Sequence, residues 1–374
     1  MAGTKNADAA KGKEAQAEQN GSESTIDFRA KGDVQNLMAA AGSGRLQPMK
    51  GFASDYTDIV DYIIRSTHKM WEEGGIGLLY EHYAHNTVTW SDWGPTYGRD
   101  RVMEYVIQRE SAFPDLRIYA DDVIWAGNEK EGFRTSHRVT QIAHNYGPSK
   151  YGPPTGRRTQ FRSAAECVVQ GNRVIEEWLV HDELTIVRQL GLDVDTVLRE
   201  ISQQMDVSAP TDIVGEVPRV QGQTTPPMYR PKHPGQFDVE DFVHLLVDEV
   251  WNWRLLNRIP AYYASNVPIH GPSNRELYGH GDMRAFVLAV LAAFPDAMIQ
   301  IDDVYWNGND QDGYRVASRW HFIGTHRGIG IYGRPTGRQI QMLGSTQYRI
   351  KDGKVVEEWT FFNELALLWK LRYA

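Results

Sequence analysis

Four side chains between positions 137 and 182 could move protons or orient a polar substrate: His137, Arg138, Glu166 and Asp182. Asp182 stands in "EEWLVHDEL" (176–184), and the same frame returns as "EEWTFFNEL" (357–365) with Asn363 in its place. On an alternating strand, Trp178, Val180 and Asp182 share one side. If that side lines an apolar cavity, desolvation raises the carboxylate's pKa and makes it a stronger base. Proton abstraction beside a carbonyl would then need neither metal nor cofactor. The same position also precedes a helix-like segment, "ELTIVRQLG" (183–191), where aspartate is a favoured N-cap and asparagine caps about as well. Both readings accommodate the change to Asn363.

The other candidates divide in the same way. His137 has Ser318 as its counterpart, whereas Arg138 is matched by Arg319. Neighbours on a strand face opposite ways, so His137 as a general acid and Arg138 as a carbonyl-orienting group would work on different faces. The structural alternatives are a solvated or hydrogen-bonded strand histidine and, for the shared arginines, an intersheet salt bridge. Glu166 has Gln347 as its counterpart and reads either as a partner across to the Asp182 strand or as a surface glutamate. Tyr83, Trp90 and Trp178 are candidate pocket walls, and Trp93 lies in a loop, "WSDWGPTYG", that could cover a pocket mouth. His82 and His85 lack a fixed third ligand, so no metal site is expected. Asp121–Asp122, matched by Asp302–Asp303, point to opposite faces and read as scaffold.

These residues sit in a duplicated frame. "FPDLRIYADDVIWAGNEKEGFR" begins at 113 and "FPDAMIQIDDVYWNGNDQDGYR" at 294. Over 113–184 against 294–365 the match is gapless, with 28 of 72 positions identical, too many for chance. Each copy opens with an amphipathic helix (55–73 and 238–254). A short extended piece, a second helix (99–112 and 281–293), four strand-like segments and a closing helix follow. "QGN" and "KDGK" mark hairpin turns. Helices followed by a run of antiparallel strands predict an α+β fold. The expected organisation is a disordered or extended tail over 1–53, a first domain over 54–193, a short helix and Pro-rich linker over 194–235, and a second, degenerate domain over 236–374.

Composition narrows the function classes. The 374 residues are 41% hydrophobic and 24% charged, with net charge -8, which argues against an electrostatic nucleic-acid binder. The single cysteine, Cys167, precludes a disulfide framework within one chain and suits a reducing compartment. No apolar run approaches the ~20 residues of a membrane span, and the polar N-terminus lacks the apolar core of a signal peptide. A cytoplasmic location is expected.

The motifs "GTHRGIGIYGRPTGRQI" (324–340), "DGKVVEEW" (352–359) and "WLVHDELTIVRQLG" (178–191) resemble signatures of SnoaL-like polyketide cyclases. These belong to the cone-shaped α+β superfamily of nuclear transport factor two, ketosteroid isomerase and scytalone dehydratase. The resemblance implies two such domains in tandem, each a curved, mostly antiparallel sheet wrapped on helices. It implies a pseudo-dimer within the chain, with further homo-oligomers open. It also implies Asp182, in W-x-x-x-D, as the general base that removes a proton beside a carbonyl. The second copy departs from the motif at Asn363, and the first has His144 one position earlier than the histidine of "GTH"; His144 joins the substrate-binding candidates. The resulting expectation is a cofactor-independent cyclase, isomerase or dehydratase (lyase) that acts on a small carbonyl-containing or polyketide-like substrate, with the chemistry in the first copy. A non-catalytic module for a small ligand or protein, and an ester or epoxide hydrolase, are the alternatives.

Overall fold

Both amphipathic helices begin at the same device. Asp58 accepts the Asp61 N–H at the head of helix Ile59–Trp71, and Asp238 accepts the Asp241 N–H at the head of helix Val239–Leu246. Such caps satisfy a backbone donor that the helix cannot pair internally. The first helix stays α-helical to Trp71; the second passes into a π-helical turn, Val247–Asn252.

The computed structural model describes residues 26–204 and 227–373. Of the tail expected over 1–53, residues 1–25 lie outside the described residues. The rest carries helix Val34–Ala39 and buries Ile26, Leu37, Met49 and Phe52 in a core. Helix Val194–Gln204 buries Val197, Leu198 and Ile201, and most of the linker expected after it lies outside the described residues.

Among the described residues, twelve strands form two six-stranded mixed sheets with helices, an α+β architecture in two repeats. In the first repeat they are β1 Tyr83–Ser91, β2 Gly94–Tyr97, β3 Arg117–Asn128, β4 Gly132–His144, β5 Arg158–Gln170 and β6 Arg173–His181. The second has β7 Pro268–Gly271, β8 Arg275–Tyr278, β9 Met298–Asn309, β10 Gly313–Thr325, β11 Gln339–Lys351 and β12 Lys354–Phe362. The orders are β2-β1-β6-β5-β4-β3 and β8-β7-β12-β11-β10-β9, the same path twice. The long hairpins are antiparallel, whereas β1 runs parallel to β6 and β7 parallel to β12. Helices Arg99–Ala112 and Gly279–Ala293 separate the short hairpin from the long strands.

The chain divides into two compact units. Of the described residues, the first takes those within Met1–Trp90, Thr96–Leu179 and Asn307–Asn309, and the second those within Ser91–Pro95, Val180–Trp306 and Asp310–Ala374. The first has its core around Ile59, Tyr62, Val123, Phe133 and Val169; the second has its own around Val243, Val250, Val287, Phe294 and Leu367. Among the described residues no helix is long and apolar enough to cross a membrane.

Candidate functional site

Strand β6 carries two adjacent glutamates that face apart. Glu176 accepts the Trp90 indole N–H at 2.7 Å, on a face where Trp90 and Trp178 are register partners. Glu177 faces the interior and is 6% exposed. It accepts hydrogen bonds from the Tyr83 and Thr89 hydroxyls, each at 3.2 Å, and the Cys167 thiol lies 4.0 Å away. Burial pushes its carboxyl up to about 6, against the opposing pull of Thr89 and Tyr83.

His137 shares this interior face. It pairs in register with Ala165, two residues before Cys167, and alternates along β4 with the core residue Phe133. Its Nε2 meets no hydrogen-bond partner among the described residues. Burial first, and the Arg138 charge second, lower its pKa to about 4, so the imidazole stays neutral. Arg138 and Glu166 lie on the opposite face: Arg138 pairs with Asp121 at 3.7 Å, and Glu166, register partner of Ser136, is buried. The inward carboxylate of this sheet is therefore Glu177, and Glu166 is not a surface residue.

Asp182 lies in the second compact unit and is 7% exposed. It caps helix Glu183–Gln189, with one oxygen accepting the Thr185 N–H at 3.3 Å and the other the Thr185 hydroxyl at 2.7 Å. The Asn274 N–H, in the same unit, adds a third donor at 3.1 Å. Burial still raises the Asp182 pKa; these three donors lower it, and nearby Glu364 raises it. Asn363 caps helix Glu364–Arg372 in the same way, accepting from Leu365 and Ala366 N–H, each at 3.1 Å.

The remaining candidates are dispersed. Trp93 donates its indole N–H to Glu183 at 2.9 Å. His144 contacts Asp115 at 2.6 Å and stacks on Tyr146 near the rim of β4. His82 is buried between the Tyr62 and Tyr56 hydroxyls at 3.3 and 3.5 Å, which accounts for it without a metal.

The second repeat rebuilds the interior carboxylate. Glu358, counterpart of Glu177, accepts the Tyr263 and Thr360 hydroxyls, each at 2.7 Å, and is 5% exposed. It lies in the wall of an apolar pocket, with Val247, Trp251, Phe286, Trp320 and Phe362. Two pocket residues, Val247 and Trp251, come from the π-helical turn. Such turns recur where a helix bends its side chains toward a site. Trp320 lies over Gly344, its register partner on β11; a Cβ there would fall 2.1 Å from the indole. The first repeat has Val139 opposite Ser163 at those positions.

Strand alternation that puts Trp178, Val180 and Asp182 on the functional side passes over Glu177 and Glu358. A signal was present. Glu177 and Glu358 are identical in both copies, and Tyr83 and Tyr263 recur upstream to meet them.

The family model for SnoaL-like polyketide cyclase matches this chain twice, over residues 62–190 and 242–371. A search of curated proteins gave no match. Among solved structures, a candidate polyketide cyclase of Acidithiobacillus ferrooxidans is 25% identical over 36% of this chain and 95% of its own, with TM-score 0.32. AclR, a candidate hydroxylase of Streptomyces galilaeus, is 26% identical over 35% and 93%, with TM-score 0.31. IdmH, a candidate polyketide cyclase of Streptomyces antibioticus, is 25% identical over 35% and 96%, with TM-score 0.31.

Proposed function

Because this chain belongs to the SnoaL-like polyketide cyclase family, we propose that it removes a proton beside the carbonyl of a small substrate, without a cofactor, with Asp182 as the base. Ring closure, isomerisation or dehydration would follow from the resulting enolate. Family membership supports a cyclase or isomerase-type role. The observation that carries the assignment to Asp182 is a buried carboxyl in W-x-x-x-D whose pKa burial raises. A carboxylate with that shift is a better base near neutral pH than an exposed one.

A second reading has its own observation. Thr185 and Asn274 already occupy both Asp182 oxygens, and Asn363 performs the same capping with no carboxylate. On this reading Asp182 is structural and the chain binds without turnover.

Asp182→Asn separates the two, because asparagine keeps the cap. Exchange of α-protons for deuterium, followed by NMR across a panel of small β-dicarbonyl compounds, reports the chemistry directly. Loss of about 100-fold or more in exchange rate with an unchanged melting temperature is the expected result. Exchange at the wild-type rate in that variant would reject Asp182 as the base.

A further inference from the structure

The repeat that lacks the motif aspartate holds the aromatic pocket. We propose that this pocket binds a hydrophobic amine in its protonated form, a ring-sized aryl or polycyclic ammonium, with its charge at Glu358 and its apolar body among Trp251, Phe286 and Trp320.

The hydrogen bonds around Glu358 run one way. The Trp320 indole can only donate, and it donates to the Thr346 hydroxyl at 3.0 Å. Thr360 gives its proton to Glu358, so in the contact of 3.1 Å between the two threonines Thr346 is the donor. Tyr263 donates to the other carboxyl oxygen. Every neighbour thus treats Glu358 as an acceptor, and a carboxylate with room for about four hydrogen bonds has two filled.

The chain provides no countercharge. No lysine, arginine or histidine lines the pocket, and among the described residues none pairs with Glu358. The titratable groups facing it are Tyr263 and Tyr348, both held neutral by burial, which pushes them well above their usual range. Burial raises the Glu358 pKa against the pull of Thr360 and Tyr263, so its ionised form is costly alone, and a ligand cation relieves that cost. The aromatic walls favour the same sign, because ring faces attract cations.

The first repeat shows what was removed. Position 290 is a pocket-lining valine, whereas its counterpart, the half-buried Arg109, sets its guanidinium over the Trp71 ring and donates to Gln141. Gln141 in turn is replaced by Phe322 in the pocket wall. The second repeat has exchanged a cation and its amide partner for apolar walls, and kept the carboxylate.

The proposal concerns the second repeat and is independent of the chemistry at Asp182. It is tested on the full chain by isothermal titration calorimetry near neutral pH with three probes of one shape: naphthalen-2-ylmethylammonium, naphthalen-2-ylmethanol and naphthalene-2-carboxylate. The ammonium should bind about tenfold or more tighter than the alcohol, and the carboxylate should not bind. Glu358→Gln should bring ammonium and alcohol to similar affinity, and Val290→Trp should abolish binding of both. Asp182→Asn should leave the preference intact, whatever it does to proton exchange. Equal or tighter binding of the alcohol, a preference that survives Glu358→Gln, or no binding by any probe would each overturn it.

Discussion

Glu177 and His137 face one interior and respond to pH with opposite signs. The folded protein holds the Glu177 proton up to about 6, against an ordinary 4.5. It therefore loses stability as pH rises from 4.5 to 6, by about 2 kcal/mol in all. His137 is held neutral down to about 4, against an ordinary 6.5, so the stability it contributes is present above 6.5 and lost as pH falls toward 4, by about 3 kcal/mol. Where the windows overlap the histidine dominates, and the first unit should weaken on acidification. Two substitutions separate the contributions. Glu177→Gln should match the wild-type melting temperature near pH 4 and exceed it at pH 8. His137→Asn should flatten the acid limb of the melting profile. A Glu177→Gln offset that is the same at both pH values would mean that the carboxyl is not the titrating group. Glu177 was hard to find in the sequence because a two-residue period assigns faces only in alternation. Which face is the core depends on partners such as Tyr83 and Cys167, ten or more residues away.

At the scale of elements, the most specific fit is the pair formed by Trp320 and Gly344 on adjacent strands. The glycine is needed for close approach, since any Cβ would enter the indole. Gly344→Ala should displace Trp320, widen the pocket and cost about 1–3 kcal/mol, read from the denaturant midpoint; an unchanged midpoint would show that the ring can tilt away freely. The hairpins of β5–β6 and β11–β12 were legible because "QGN" and "KDGK" are local turn chemistry. The parallel pairings of β1 with β6 and β7 with β12 were not, because nothing local specifies a partner some ninety residues distant. The π-helical turn at Val247–Asn252 was equally hidden: its apolar spacing reads as a continuous helix, and only packing distinguishes it from the regular turns of Ile59–Trp71.

Over the whole molecule, two separate cores imply two cooperative transitions. Phe133→Ala and Phe294→Ala each remove a fully buried ring, one from each core, and should each cost about 3–5 kcal/mol. Differential scanning calorimetry should show a different transition moving in each variant; a single transition that shifts in both would mean that the units unfold as one. The duplication and the α+β class were plain in the sequence because 28 of 72 positions coincide in the aligned stretch. The pocket was not, because it arises where the copies differ: Val290 for Arg109, Phe322 for Gln141, Trp320 for Val139. Those differences also constrain how the gene can recombine with itself. A crossover that moved β10 into the first repeat without β11 would set a tryptophan against Ser163, and one that moved β5 into the second would do the same at Trp320. Exchanges that carry both strands together avoid this clash, so Trp320 and Gly344 pass between the halves without cost only as a pair.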